Sequence, residues 1–285
     1  MNIRPMLAAD VDPATEMILR HGWGVRREWL RFATRDDRCH PLVAVADGEI
    51  VATGVGTANG AVGWLGSVFV APARRGQGLG RAITQAVLGW LESAGCGTVV
   101  LVATTEGRRL YERMGFEVQA MYRILEAPGL PEADVSGDAG TAAGTGLAVR
   151  AFRPIDVDAM AGMDAAATGE DRRHAIERLA APDTARVVTD AGARLRGFMV
   201  RPPWGGGATI AETPDDALAM ITARRRTAGP EGKVRVGVLD ANGEGLARLA
   251  AEGFTDAWSA PRMTRGAPID WRPERIWGQF NLALG

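Results

Sequence analysis

The spacing of apolar positions changes period several times along the first half of the chain. "HPLVAVADGE" and "IVATGVGTA" are apolar runs broken at Asp47-Gly48, a pair that favours a hairpin turn, so two antiparallel strands are predicted. "GWLGSVFVAP" reads as a third strand, ended by Pro72, which has no N–H to give to a ladder. From Gly80 the period lengthens. Ala82/Ile83, Ala86/Val87 and Trp90/Leu91 recur every four residues, which is one face of a helix, and Gly95 supplies its stop. "GTVVLVA" is then a short buried strand, followed by a helix over about Gly107 to Arg113. Strands alternating with helices predict an α/β domain, a mixed central sheet flanked by helices.

The same order of signals returns later. "IRPMLAADVD" from Ile3 is matched by "VRAFRPIDVD" from Val149, an offset of 146. A strand–turn–strand signal occurs in both halves, "PLVAVADGEIVATGVG" and "ARVVTDAGARLRGFMV". Each half then closes on a helix ended by Gly-Phe, "LYERMGF" at Gly115 and "RLAAEGF" at Gly253, an offset of 138. Ordered matches with a slowly drifting offset predict two copies of one fold. Between them, "EAPGLPEADVSGDAGTAAGTGL" is rich in Gly, Ala, Pro and Asp and has no periodicity, which is linker composition. The predicted organisation is residues 1–127 as a first domain, 128–147 as linker, 148–266 as a second domain and 267–285 as a tail.

Composition narrows the classes. Among 285 residues, 46% are hydrophobic and 24% charged, ordinary for a chain that buries a core. A formal net charge of -1 argues against a nucleic-acid binder. Cys39 and Cys96 are too few and too far apart for a disulfide framework or a zinc site, so two buried thiols and no metal are expected. No apolar run approaches a membrane span, and the start "MNIRPMLAADVD" lacks a signal-peptide core. A cytoplasmic protein without a membrane partner is expected; oligomeric state is not readable.

The chemistry concentrates in "RRGQGLGRA", residues 74–82, between the third strand and its helix. First-turn amides of a helix have no intrahelical partner, and the helix dipole adds positive charge there. Gly76, Gly78 and Gly80 clear side chains from those amides, while Arg74, Arg75 and Arg81 add full charge, which suits a phosphate or pyrophosphate. A Walker A loop is excluded, since the only lysine is Lys233 and no Lys-Ser or Lys-Thr occurs. A dinucleotide fingerprint fits poorly: the third glycine comes one residue early, and "TVVLVA" ends without an acid. What remains is Arg-x-x-Gly-x-Gly, carried by Arg75, Gly78 and Gly80.

"VFVAPARRGQGLGRA" followed by "LYERMGF" resembles the GNAT superfamily of acyl-CoA-dependent N-acetyltransferases. "HGWGV", "GWLGSVFV" and "LVATTEGRRLYERMGF" look like a GNAT group with a second, degenerate GNAT-like domain, whose end resembles "PRMTRG". The resemblance implies two GNAT-like domains in tandem, with acetyl-CoA as co-substrate and a primary amine, small molecule or peptide, as acceptor. It further implies that the strand bearing Val68, Phe69 and Val70 pairs with the pantetheine arm beside a splayed neighbour. The amides of Arg75, Gly76, Gln77, Gly78, Leu79, Gly80 and Arg81 would take the pyrophosphate. Thr104 stands where many relatives carry an asparagine that touches the cofactor. Tyr111 matches the tyrosine that protonates the departing thiolate.

The base is less legible. Relatives often place an acid on the strand before the loop, but here that segment is Trp64-Leu65-Gly66-Ser67. His21, Glu28, Asp36, Asp37 and His40 are candidates to line the acceptor side, directly or through water. Trp23 and Trp64 are candidates for substrate contact, and Trp29 lies in the same region with either a core or a pocket role. In the second half the aligned segment is "IAETPDDALAMI", with Glu212, Asp215 and Asp216 in place of glycines and arginines, and Leu249 in place of the tyrosine. The second copy is therefore expected to bind no CoA. An acyl-CoA sensor without turnover, or an unrelated nucleotide-phosphate binder, are the alternative readings.

Overall fold

The computed structural model describes residues 2–131, 140–141 and 146–285. The chain divides into two units. Met1–Val118, Arg262–Pro268 and Leu282–Gly285 make the first, and Gln119–Pro261 with Ile269–Asn281 make the second.

In the first unit the elements are β1 (Asn2–Pro5), α1 (Val11–Arg20), α2 (Arg27–Ala33), β2 (Cys39–Ala46), β3 (Glu49–Asn59), β4 (Val62–Val70), α3 (Leu79–Ser93), β5 (Thr98–Val102) and α4 (Thr105–Glu112). The strands lie in the order β1-β2-β3-β4-β5, and residues 262–266 add antiparallel to the free edge of β5. Only β4 and β5 run parallel. The turn between β2 and β3 has Asp47 at φ 54° and Gly48 at φ 79°, the pair of positive values that the Asp-Gly signal implies. α3 packs on the sheet through Ile83, Val87, Leu88 and Leu91. Its buried stripe is rotated slightly from the sequence reading: Ala82, Ala86 and Trp90 lie at the margin, while Thr84 and Leu88 are enclosed. Thr84 is tolerated inside because its hydroxyl donates to the carbonyl of Gly80 at 2.8 Å. Cys39 and Cys96 are buried free thiols.

The second unit takes up β6 (Glu117–Pro128) from Gln119 onward. After it come β7 (Gly140–Thr141), β8 (Ala148–Ala151), α5 (Val157–Thr168), α6 (Arg173–Leu179), β9 (Ala185–Thr189), β10 (Leu195–Val200), β11 (Ala208–Ala211), α7 (Pro214–Ala228), β12 (Lys233–Leu239) and α8 (Gly243–Ala251). β13 (Thr255–Gly266) supplies its first part to this unit and its last residues to the first, and β14 (Ile276–Gly278) follows. β14-β11-β10-β9-β8-β7 form one sheet, and β6 pairs antiparallel with β12. Of the predicted linker, 132–139 and 142–145 lie outside the described residues.

The repeat is visible in hydrogen bonds as well as in element order. Arg4 holds Asp10 through two contacts of 2.5 and 2.9 Å, and Arg150 holds Asp156 through two of 2.8 and 2.7 Å. Each carboxylate also accepts a backbone N–H at 2.7 Å, from Leu7 in one copy and Arg153 in the other. Both pairs fix the entry of the strand into a short 3-10 turn and then a helix. At the other end of the repeat, Gly115 (φ 84°) and Gly253 (φ 81°) terminate α4 and α8. The amides of Phe116 and Phe254 return to the carbonyls of Tyr111 and Leu249, each at 3.0 Å. Left-handed glycine at a helix end is the usual way to reverse the chain.

Candidate active site

The site is built where β4 parts from β5. The two strands pair only through Val62–Trp64 and Thr98–Val100, although both continue past that point. Beyond it β4 stays bonded to β3, with a register shift that places an extra residue between Gly66 and Phe69. Ser67 sits in this bulge at φ 52°, an uncommon value for a residue with a side chain. Two bonds fix it: Trp29 Nε1 donates to Ser67 Oγ at 2.9 Å, and Thr53 Oγ1 donates to the Ser67 carbonyl at 2.9 Å. The edge of β4 that carries Val68, Phe69 and Val70 is thereby freed from β5 and left open at the carboxyl end of the strands, where α/β sheets place their ligands.

The glycine loop continues from that edge. Gly76 (φ 75°) and Gly78 (φ 81°) adopt left-handed conformations, and a Cβ built on either would meet no atom within 4 Å. α3 begins at Leu79, with Gly78 as its cap residue. Among the described residues, no protein acceptor answers an amide from Gly76 through Arg81; the first amide to find one is that of Ala82, which reaches the Gly78 carbonyl at 3.0 Å. Such a run of unanswered N–H groups at a helix start, facing open space, fits an extended phosphate group. Arg74 is tied to Asp47 at 2.5 Å, and Arg75 Nε donates to the Val70 carbonyl at 3.2 Å, which ties the loop to the open strand. Arg81 and Arg113 line an open groove of about 420 Å³ between α3 and the end of α4.

Tyr111 lies on α4, the helix that follows β5. Its ring is buried, edge-on to Phe116 with centroids 5.9 Å apart. The absence of a side chain on Gly107 admits the ring, since a Cβ there would lie 3.2 Å from Tyr111 Cε2. Burial pushes the phenol up to about 12. Thr104 is the cap of the same helix, and its hydroxyl accepts the Gly107 N–H at 3.1 Å. Asn242 does the same for Gly245 at 2.9 Å in the second copy, 138 residues on. The hydroxyl of Thr104 is thus held in place by capping and retains its own proton to donate.

The acceptor-side candidates separate. Trp23 is partly exposed and packs on Phe69, ring centroids 5.3 Å apart, and His21 stacks on the same ring at 6.0 Å. Both therefore stand beside the open strand. Trp64 does not line a pocket: it is fully buried, under the guanidinium of Arg262 at 5.1 Å. Trp29 is also buried, as the donor to Ser67. Of the remaining base candidates, His40 stacks on Trp90 of α3 at 4.9 Å, Glu28 is paired with Arg31, Asp36 accepts the Arg38 amide, and Asp37 is exposed.

One feature of the strand segment was not legible in the sequence. Gly66 lies against residues 282–285, and a Cβ on it would approach Ala283 Cβ to 2.4 Å. Thr57 and Asn59, both fully buried on β3, donate to the carbonyls of Ala283 and Leu284 at 2.9 and 2.8 Å. The place beside the bulge that a side chain at Gly66 would occupy is therefore filled by Leu282 and Ala283.

The second copy has a different geometry at the equivalent strand. β14 pairs with β11 on the edge that β4 leaves open, through Thr209↔Gly278 and Ile210↔Ile276. Trp277 is completely enclosed there. α7 begins with a capping box of Thr213 and Asp216 in place of open amides. Glu212 is bonded to Arg194 and Arg196, and Asp216 to Arg196. The acids expected to repel an anion are instead neutralised within their own unit, and the strand edge itself is closed.

Comparison with known proteins identifies the family of both halves. Residues 6–116 match the Acetyltransferase (GNAT) family, and residues 160–278 match an Acetyltransferase (GNAT) domain. A mycothiol acetyltransferase from Thermobispora bispora is 47% identical over 75 residues, 23% of this chain and 25% of that protein. The chain thus spans about a quarter of the length of that curated relative. A solved structure from Pyrococcus horikoshii that carries an acetyltransferase designation superposes with a TM-score of 0.81 at 19% identity, covering 100% of this chain and 95% of that one. A tandem GNAT protein from the clavulanic acid biosynthesis pathway gives 0.60 at 15% identity, covering 94% and 99%. At these identities the structures speak for the fold. Among the described residues, no helix is long and apolar enough to cross a membrane.

Proposed function

Because the chain belongs to the acetyltransferase (GNAT) family, we propose that it transfers an acetyl group from acetyl-CoA to a primary amine by direct attack, with the first unit carrying the chemistry. One observation carries this reading: the unanswered amides of Gly76–Arg81 continue directly from the open edge of β4. A pyrophosphate on those amides and a pantetheine arm along Val68–Val70 would bring the thioester to the bulge at Ser67. The name of the curated relative supports acetyl as the acyl group.

Acetyl-CoA, when bound, supplies an activated acyl carbon and a thiolate leaving group. His21 is placed to take the proton of the incoming ammonium, since it stands on Phe69 beside the open strand. Tyr111 keeps its proton through the neutral range, as a donor must. Full transfer from a phenol near 12 to a thiolate whose thiol titrates at about 8.5 would run uphill. Its contribution is therefore a hydrogen bond to the developing charge on sulfur. Thr104, capped in place at the start of the same helix, would offer its hydroxyl to the amide of the pantetheine arm.

Calorimetric titration with CoA tests the cofactor half, and thiol release over an amine panel tests transfer. CoA binding that Gly78→Glu abolishes, with thiol release that requires an amine, is the expected result. Binding of CoA without amine-dependent release would instead favour a non-catalytic acyl-CoA sensor.

A further inference from the structure

The connection between α1 and α2 carries a cation without an anion. Arg26 is half-buried, and its guanidinium lies over the Trp23 ring at 5.9 Å. Burial lowers its pKa, the direction expected for a cation removed from water without a counter-charge. Among the described residues its only hydrogen bond is from Nη1 to the Val25 carbonyl at 3.3 Å, which leaves most of its N–H donors unused. The flanking arginines are different: Arg27 pairs with Asp12 at 3.0 Å and Arg31 with Glu28 at 2.8 Å. Among the described residues, no carboxylate lies within ion-pair distance of Arg26.

Its location gives the unused donors a purpose. Trp23, beneath Arg26, packs on Phe69, and Phe69 follows the bulge on the open strand. Phe69 points toward the α1–α2 connection, whereas its neighbours Val68 and Val70 point the other way, toward Gly54 and Gly80. The phosphate-fitting loop leads into α3, beside Val70 and Gly80. The Phe69 ring thus gathers Trp23, with Arg26 over it, and the loop's Arg75, whose guanidinium lies 6.0 Å from the Phe69 centroid. Arg75 donates to the Val70 carbonyl, whereas Arg26 keeps most of its donors free beside the bulge. Val25, next to it, is 63% exposed and offers apolar surface beside the cation.

We propose that Arg26 determines acceptor specificity by receiving an anionic group, a carboxylate or phosphate carried on the same molecule as the attacking amine. This rests on the acyl-transfer reading given above. A guanidinium binds such a group through paired, charge-assisted N–H bonds, which the partial burial of Arg26 strengthens. A cation–π contact with Trp23 alone would leave those donors unsatisfied.

The test compares anionic amines with neutral counterparts in the wild-type protein, Arg26→Met and Arg26→Lys. α-Amino acids and dipeptides are paired with their C-terminal amides, and an amino-sugar phosphate with its unphosphorylated sugar. CoA affinity is measured in parallel by calorimetry. Wild type should use at least one anionic amine with kcat/KM about tenfold or more above its neutral partner. Arg26→Met should abolish that preference through KM, Arg26→Lys should restore part of it, and CoA affinity should stay within about twofold. Equal use of charged and neutral partners, or turnover of neutral amines only, overturns the proposal. A fall in CoA affinity that matches the fall in efficiency also overturns it, assigning Arg26 to a cofactor phosphate. Failure of CoA to bind the wild-type protein overturns the transfer reading, and this one with it.

Discussion

Trp29 Nε1 donates to Ser67 Oγ at 2.9 Å across 38 positions of sequence, and that bond helps hold the bulge at which β4 leaves β5. Ser67 adopts φ 52°, a conformation that costs a side-chain-bearing residue on the order of 1–2 kcal/mol unless its surroundings enforce it. Trp29→Phe removes the donor and keeps an aromatic ring. The expected loss of stability is about 1 kcal/mol. A several-fold rise in KM for acetyl-CoA should accompany it, because the freed edge of β4 depends on the bulge. Ser67→Gly, which relieves the backbone while losing the hydroxyl, should keep KM closer to wild type. Urea unfolding and initial-rate kinetics measure both; an unchanged KM in Trp29→Phe would show that the bulge needs no clamp.

The closed edge of β11 and the open edge of β4 together predict one CoA per chain. Calorimetry should give a stoichiometry near one, and Gly78→Glu should remove all measurable binding instead of half of it. Gly78→Ala is a milder probe. At φ 81° an alanine costs roughly 1 kcal/mol of backbone strain, and its Cβ would enter the open space faced by the amides. CoA affinity should fall about tenfold while α3 remains folded, as judged by circular dichroism.

Much of this site was legible because local chemistry dictates it. Glycines at 76 and 78, arginines on either side and an apolar helix beyond them define a helix start with open amides without reference to distant residues. The two Gly-Phe helix ends and the two Arg–Asp pairs are likewise local, so the repeat could be read from spacing. What could not be read depends on residues far apart in sequence. Trp64 reads as a substrate contact in the sequence, but the fold buries it fully, with the Arg262 guanidinium 5.1 Å from its ring. Nothing near Gly66 announces residues 282–285, and nothing in "IWG" announces a strand that closes the edge of β11. His21 and His40 looked equivalent as sequence. Only the fold sets one on Phe69 and the other on Trp90.

That separation makes His21 testable against His40. His21→Gln should lower kcat by ten- to a hundredfold near pH 7 with CoA affinity unchanged. The deficit should shrink as pH rises toward the amine's own pKa, about 10, where the acceptor is already neutral. His40→Gln, on the α3 side, should leave the pH–rate profile intact. If the two variants behave alike, His21 is not the proton acceptor.

Tyr111 makes two predictions with opposite requirements. As a hydrogen-bond donor to sulfur, it should be needed for turnover: Tyr111→Phe should reduce kcat by about tenfold or more while CoA still binds. As a buried phenol, it should also couple stability to alkaline pH. Its folded pKa is raised to about 12, whereas an unfolded tyrosine ionises at about 10. Below pH 10 both states carry the proton, and stability is unaffected. Between 10 and 12 the unfolded chain loses its proton while the folded one retains it, so stability falls as pH rises. The two-unit difference corresponds to a loss of about 2 kcal/mol by pH 12. Tyr111→Phe lacks that term, so its unfolding free energy should decline less steeply over this range than that of the wild type. Parallel slopes for the two proteins would mean that the phenol is reached by water, and that the ring's contact with Phe116 does not shield its hydroxyl.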